Sequence, residues 1–156
     1  MAGLNWCFKQ EKGLKLIEPN ENLAEIYLKK SQSSLNMLES AVGKKEFEWI
    51  LNISYYAKYF CVYAVLTKLG IKCEIHDCTI KCVKFLVEEG IFSKKIWLEL
   101  KESKDLRIGA LYYNTDFDKQ RILKMAERTS DFCLEVEEIL ENLNENKVLE
   151  IHNKLK

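Results

Sequence analysis

The chain reads as all-α, an up-and-down antiparallel bundle of about five helices, and three observations carry that reading. One proline and six glycines in 156 residues leave little material for turns, which favours a few long elements over many short strands. Apolar residues recur at helical spacing through successive segments. The connections between those segments are short, so neighbouring helices are expected to run antiparallel.

The elements follow in order. Residues 1–18 carry no clear period, with Trp6, Phe8, Leu14, Leu16 and Ile17 scattered among charges, and read as an arm packed on the bundle that fills 19–146. Glu18-Pro19-Asn20 starts a helix whose stripe (Leu23, Ile26, Tyr27, Leu35, Met37, Leu38, Val42) runs to Gly43, with the polar run Lys29 to Ser34 as its solvated middle. A second helix begins near Glu46 and stops at Gly70. Its segment Ser54 to Phe60, SYYAKYF, makes it apolar almost all round, as expected of a helix that is central or lies in a subunit interface. Asp77 is a natural N-cap for Cys78 to Glu89, closed by Gly90. Ser93 caps the next helix, Lys94 to about Tyr113, and Thr115 to Asp118 resembles a capping box for the last long one. Asn142 to Asn146 breaks that helix, and residues 147–156 read as a short, fraying terminal helix or tail in which His152 carries no role.

Composition narrows the function classes. Lys+Arg and Asp+Glu number 24 each, so no overall field draws the chain to nucleic acid or an anionic membrane, and any RNA contact has to come from a local patch. The longest near-apolar run, Phe60 to Leu66, is too short to span a bilayer, and the N-terminus does not read as a signal peptide. A cytoplasmic location is expected, with Cys7, Cys61, Cys73, Cys78, Cys82 and Cys133 as reduced thiols. Cys73, His76, Cys78 and Cys82 are soft enough for tetrahedral zinc, but no paired C-x-x-C knuckle is present, and neither metal nor cofactor is expected.

The landmarks, taken together, resemble the HEPN superfamily, particularly its small stand-alone archaeal and bacterial members, from about Leu23 to Leu143. SYYAKYFCVYAVLTKLGIK resembles the family's second helix; Glu74-Ile75-His76-Asp77 falls where those proteins often have a Thr-His pair; Val87 to Ser93 matches the following turn. Arg107-Ile108-Gly109-Ala110-Leu111-Tyr112 resembles an R-x-x-A-D-Y segment, with leucine at the aspartate position. The resemblance implies a two-fold dimer, a role with RNA or nucleotide in a toxin–antitoxin-like or defence system, and a nucleotidyltransferase partner that modifies or neutralises the protein. It also implies a metal-independent nuclease pattern: an arginine followed after a short spacer by a histidine.

Arg107 is present, but the histidine positions of that pattern hold Tyr112, Tyr113 and Asn114. RNA cleavage through the 2′-hydroxyl needs a base for its proton and a fixed cation for the phosphorane. Tyrosine titrates near ~10 and is a poor base at neutral pH. The expectation is therefore an RNA- or nucleotide-binding protein with weak or absent nuclease activity. A toxin in which Arg107 and Tyr112 share the catalysis, and a non-catalytic scaffold, are the alternatives. Arg107 reads either as a phosphate contact or as an ion pair with Asp105 or Glu102. Lys101 and Lys104 extend its side of the helix, Asn114 either joins the binding site or serves the turn, and Tyr112 is the residue open to nucleotide modification. Tyr55, Tyr56, Tyr59 and Tyr63 read as core or interface, and His76 as a helix start rather than a proton carrier.

Overall fold

The computed structural model describes the backbone of residues 2–112 and 118–156 and the side chains of 3–111 and 118–156. Seven α-helices stand among the described residues: α1 (Asn5–Lys9), α2 (Glu21–Gly43), α3 (Phe47–Lys68), α4 (His76–Glu88), α5 (Lys94–Tyr112), α6 (Lys119–Asn142) and α7 (Glu145–Leu155). That is more than the five or so read from periodicity, and the additional ones lie at the ends of the chain. A short antiparallel pair, β1 (Lys15–Leu16) on β2 (Ile71–Lys72), ties the arm to the connection after α3.

Local chemistry sets the boundaries. Asn20 Oδ1 accepts the Leu23 N–H at 2.9 Å and opens α2. Asp118 caps α6 by accepting from the N–H groups of Gln120 and Arg121, while Thr115 to Phe117 lie outside the described residues. α4 begins one residue before Asp77, with Ile75 as its N-cap, so Asp77 is freed for another partner. Past the C-cap Leu69 of α3 comes Gly70, whose φ is +74°. A Cβ there would sit 2.5 Å from Ile17 O and 2.6 Å from His152 Nδ1, so conformation and packing both require glycine.

Contact pairs show the helix directions. Tyr27 meets Tyr63 and Ser31 Oγ donates to Ala57 O, so α2 and α3 are antiparallel. Lys58 with Ser103 and Asn52 with Arg107 make α3 and α5 antiparallel as well. α4 breaks the expected alternation: Tyr55 meets His76 and Tyr59 meets Thr79, so it runs in the same sense as α3. The connection is responsible. It folds back along α3, where Tyr63 Oη accepts the Cys73 N–H at 2.8 Å, and only then does α4 start.

The main core surrounds α3, and a smaller cluster of Leu38, Ala41, Ile50, Leu51, Ile122 and Met125 closes the α2–α3 end. Ser31, in the run expected to be solvated, is buried because its small side chain lets α2 approach α3. The terminal helix docks instead of fraying: Val148, Ile151 and Leu155 are buried, and His152 Nδ1 lies 3.1 Å from Leu69 O. Not all the thiols are free. Cys7 and Cys78 form a disulfide that joins α1 to α4, with Cα atoms 5.6 Å apart, a pairing that depends on where the arm docks and so has no sequence signal. It removes Cys78 from the set of soft ligands considered for zinc. Among the described residues no helix is long and apolar enough to cross a membrane.

Candidate functional site

Arg107 projects from α5 toward α3. Its Nε donates to Asn52 Oδ1 at 2.9 Å and its Nη2 to Tyr56 Oη at 3.2 Å, while the guanidinium carbon lies 5.2 Å and 5.1 Å from the ring centres of Tyr55 and Tyr56. Asn52 is held in turn, since its Nδ2 donates to Glu48 O one turn earlier. The ion pair with Asp105 or Glu102 does not form; Glu102 pairs with Arg121 from α6. Arg107 is therefore a half-buried cation fixed by neutral acceptors and aromatic faces, and among the described residues no carboxylate neutralises it. A guanidinium has five N–H donors, so the remaining ones can take an anion without disturbing those that position the group.

The structure brings His76 into the same cluster. Its Nδ1 is 2.5 Å from Tyr55 Oη, and its ring stacks on Tyr59 with centres 4.6 Å apart. Burial, and then the positive charges of Arg107 and Lys104, hold its pKa below the ordinary histidine value, so the ring is neutral at pH 7. Burial pushes Tyr55 well above the usual phenol range and Tyr59 up to about 12. Both phenols thus stay protonated and serve as orienters, not bases. Part of this has a signal in the residue pattern: Asn52 is a lone amide in an apolar helix, one turn before Tyr56, where polar side chains need a partner from another element. The approach of His76 was not legible, because it depends on the returning connection.

Lys101, Lys104 and Arg107 do not form one line. Steps of three residues lag a helical turn by about 60° each, so the three side chains fan across α5. Lys101 lies toward the Trp97 ring, Lys104 forms an ion pair with Asp77 on α4, and Arg107 reaches α3. Tyr112 ends α5, but its side chain and all of Asn114 lie outside the described residues. The buried positions of Tyr55, Tyr59 and Tyr63 agree with the core reading, whereas Tyr56 is half-buried at the Arg107 site.

No curated protein matches the chain. A family model does: the HEPN domain matches residues 24–145, which takes in the whole Arg107 cluster and links the chain, at family level, to nucleotide- or RNA-related roles in toxin or defence systems. With most of its length in that match and a mostly helical fold around it, the chain belongs to the HEPN domain family.

Proposed function

We propose that this HEPN protein binds RNA or nucleotide phosphate through Arg107 as a component of a toxin–antitoxin-like or defence system, paired with a nucleotidyltransferase and with little or no nuclease activity. The observation that carries the reading is the uncompensated charge of Arg107. Evolution of an ordinary ion pair would place a carboxylate beside it, yet its held donors end on an amide and a phenol. That arrangement fixes the fork and leaves its charge for an incoming anion. A homodimer is part of the proposal: Trp49 and Leu111, at 63% and 41% exposure, give an apolar margin near Asn52 on α3 and Arg107 on α5, and a two-fold contact there would bring two arginines to one cleft.

A second reading is favoured by His76. The motif histidine is missing from α5, but α4 supplies an imidazole next to the tyrosine that lies under Arg107. For cleavage His76 would donate its Nδ1–H to Tyr55 Oη and keep Nε2 free. Nε2 takes the 2′-hydroxyl proton as the 2′-oxygen attacks phosphorus, and the 5′-oxygen leaves and is protonated by solvent, giving a 2′,3′-cyclic phosphate. Arg107 would carry the phosphorane charge.

One experiment tests both. The purified protein is incubated with total tRNA and a structured messenger RNA, with chelator, beside Arg107→Ala and His76→Ala, and bound and cleaved RNA are measured. Binding that is lost in Arg107→Ala, without new ends, supports the first reading. New cyclic-phosphate ends lost in both variants support the second, and the rate should then rise with pH through a limb below the ordinary histidine value of 6.5, as neutral His76 forms. Wild type and Arg107→Ala behaving alike, with no RNA held, would leave only the scaffold.

A further inference from the structure

Beside the Arg107 cluster, a groove of about 530 Å³ runs between α4, α5 and the N-terminal arm, lined by Trp6, Trp97, Lys81, Lys84, Lys101 and Lys104, together with Ile80, Asp77 and Asp105. We infer that this groove is a second binding site, a strip for single-stranded RNA on which Trp6 and Trp97 stack bases while Lys81, Lys84 and Lys101 take the phosphates.

The lining is what such a ligand requires. Four lysines stand against two carboxylates in a chain whose overall charge is zero, and one of the carboxylates, Asp77, is already engaged by Lys104. Each indole has lysines over its face: Lys81 lies 5.3 Å from the Trp6 ring centre, and Lys84 and Lys101 lie 5.5 Å and 6.0 Å from that of Trp97. An exposed cation–π contact is weak. A phosphate therefore draws the ammonium groups aside and opens the ring faces to bases, which stack on aromatic platforms whatever their identity. Indoles and lysines lining one groove supply both things an unpaired strand presents, a face for its bases and charge for its phosphates.

Trp6 is 52% exposed although it sits beside Cys7, which is fully buried. The Cys7–Cys78 disulfide anchors this short helix to α4, so the exposed indole is a fixed wall of the groove and not part of a loose arm. The groove also leads to the first site. Asp77 and Lys104 are among its lining, His76 precedes Asp77, and Arg107 lies about one helical turn past Lys104. A strand lying on the tryptophans would deliver a phosphate toward Arg107; this last step rests on the proposed role of Arg107, whereas the groove itself does not.

The test is fluorescence anisotropy with a labelled oligouridylate and a labelled oligoadenylate of about a dozen nucleotides, and the matching duplex, on wild type and on Trp6→Leu, Lys84→Glu, Trp97→Leu, Leu149→Ala and Arg107→Ala. Trp6 and Lys84 are exposed, so their variants keep the fold, which circular dichroism checks for all. The expected result is about tenfold weaker binding of both single strands for Trp6→Leu, Lys84→Glu and Trp97→Leu, weak binding of the duplex, and no change for Leu149→Ala, an exposed apolar residue on α7 outside the groove. Unchanged affinity in Trp6→Leu and Lys84→Glu, with loss in Arg107→Ala, would overturn the groove and leave the Arg107 reading intact. The converse pattern would keep the groove and remove Arg107. Polyglutamate competing as well as RNA, or no strand binding wild type, would overturn the groove.

Discussion

At the scale of single residues, Lys58 shows how far the helix at the centre departs from a simple apolar core. It is 1% exposed, its ammonium donates to Ser103 Oγ at 2.7 Å, and it lies over the Phe132 ring. Burial lowers its pKa from 10.5 to about 8, more than nearby Glu99 raises it. A lowered lysine pKa means the charged form is disfavoured by folding, so below pH 8 the full cost is present in the native state. Between pH 8 and 10.5 the unfolded chain binds more protons than the folded one, and stability rises with pH. Lys58→Met should thus stabilise the protein at pH 7 by roughly 1–3 kcal/mol and lose this advantage as pH rises from 8 toward 10. Urea melts of both proteins at several pH values measure it; a destabilised Lys58→Met at every pH would show that the Ser103 hydrogen bond outweighs the desolvation.

Among the elements, those with their own period or cap were legible and those made by tertiary contact were not. Asn20, the apolar SYYAKYF helix and Gly70 fixed α2 and α3 to within a residue or two, because a cap, a stripe and a left-handed stop all act locally. α1 and the sense of α4 were missed because both depend on where the arm and the returning connection pack, which short-range patterns do not encode. The same holds for the candidate site: Arg107 could be picked from the family segment, but its partners come from α3 and α4. The disulfide makes the tertiary dependence testable. It closes a separation of 71 residues, for which chain entropy gives up to about 4 kcal/mol. Cys7→Ser, or reduction of the wild type, should lower the urea midpoint correspondingly and leave α2, α3 and α6 helical. Equal midpoints with and without reductant would mean that the arm is held by its other contacts alone, such as buried Leu4 and Leu14 and the β1–β2 pair.

For the whole molecule, neutrality is the constraint on everything proposed for RNA. With equal numbers of acidic and basic residues, distant charges largely cancel beyond a Debye length of about 8 Å at physiological salt, and only the groove lysines and Arg107 remain to meet phosphate. Each phosphate neutralised on a single strand contributes about −0.7 to the slope of log affinity against log salt. Lys81, Lys84, Lys101 and Arg107 together therefore predict a slope of about −3, shallow for a nucleic-acid-binding protein. Stacking on Trp6 and Trp97 depends little on salt, so affinity should level off instead of vanishing at high ionic strength. Titrations of the single-stranded oligonucleotides from low to high salt measure both features. A slope twice as steep would require basic residues outside this face, with Lys9, Lys12 and Lys15 or the Lys44-Lys45 pair as the first to replace. A shallow slope that flattens further in Lys84→Glu would place the phosphate contacts in the groove, and would explain how a protein with no net charge selects a polyanion: by concentrating its few uncompensated cations where the aromatic faces are.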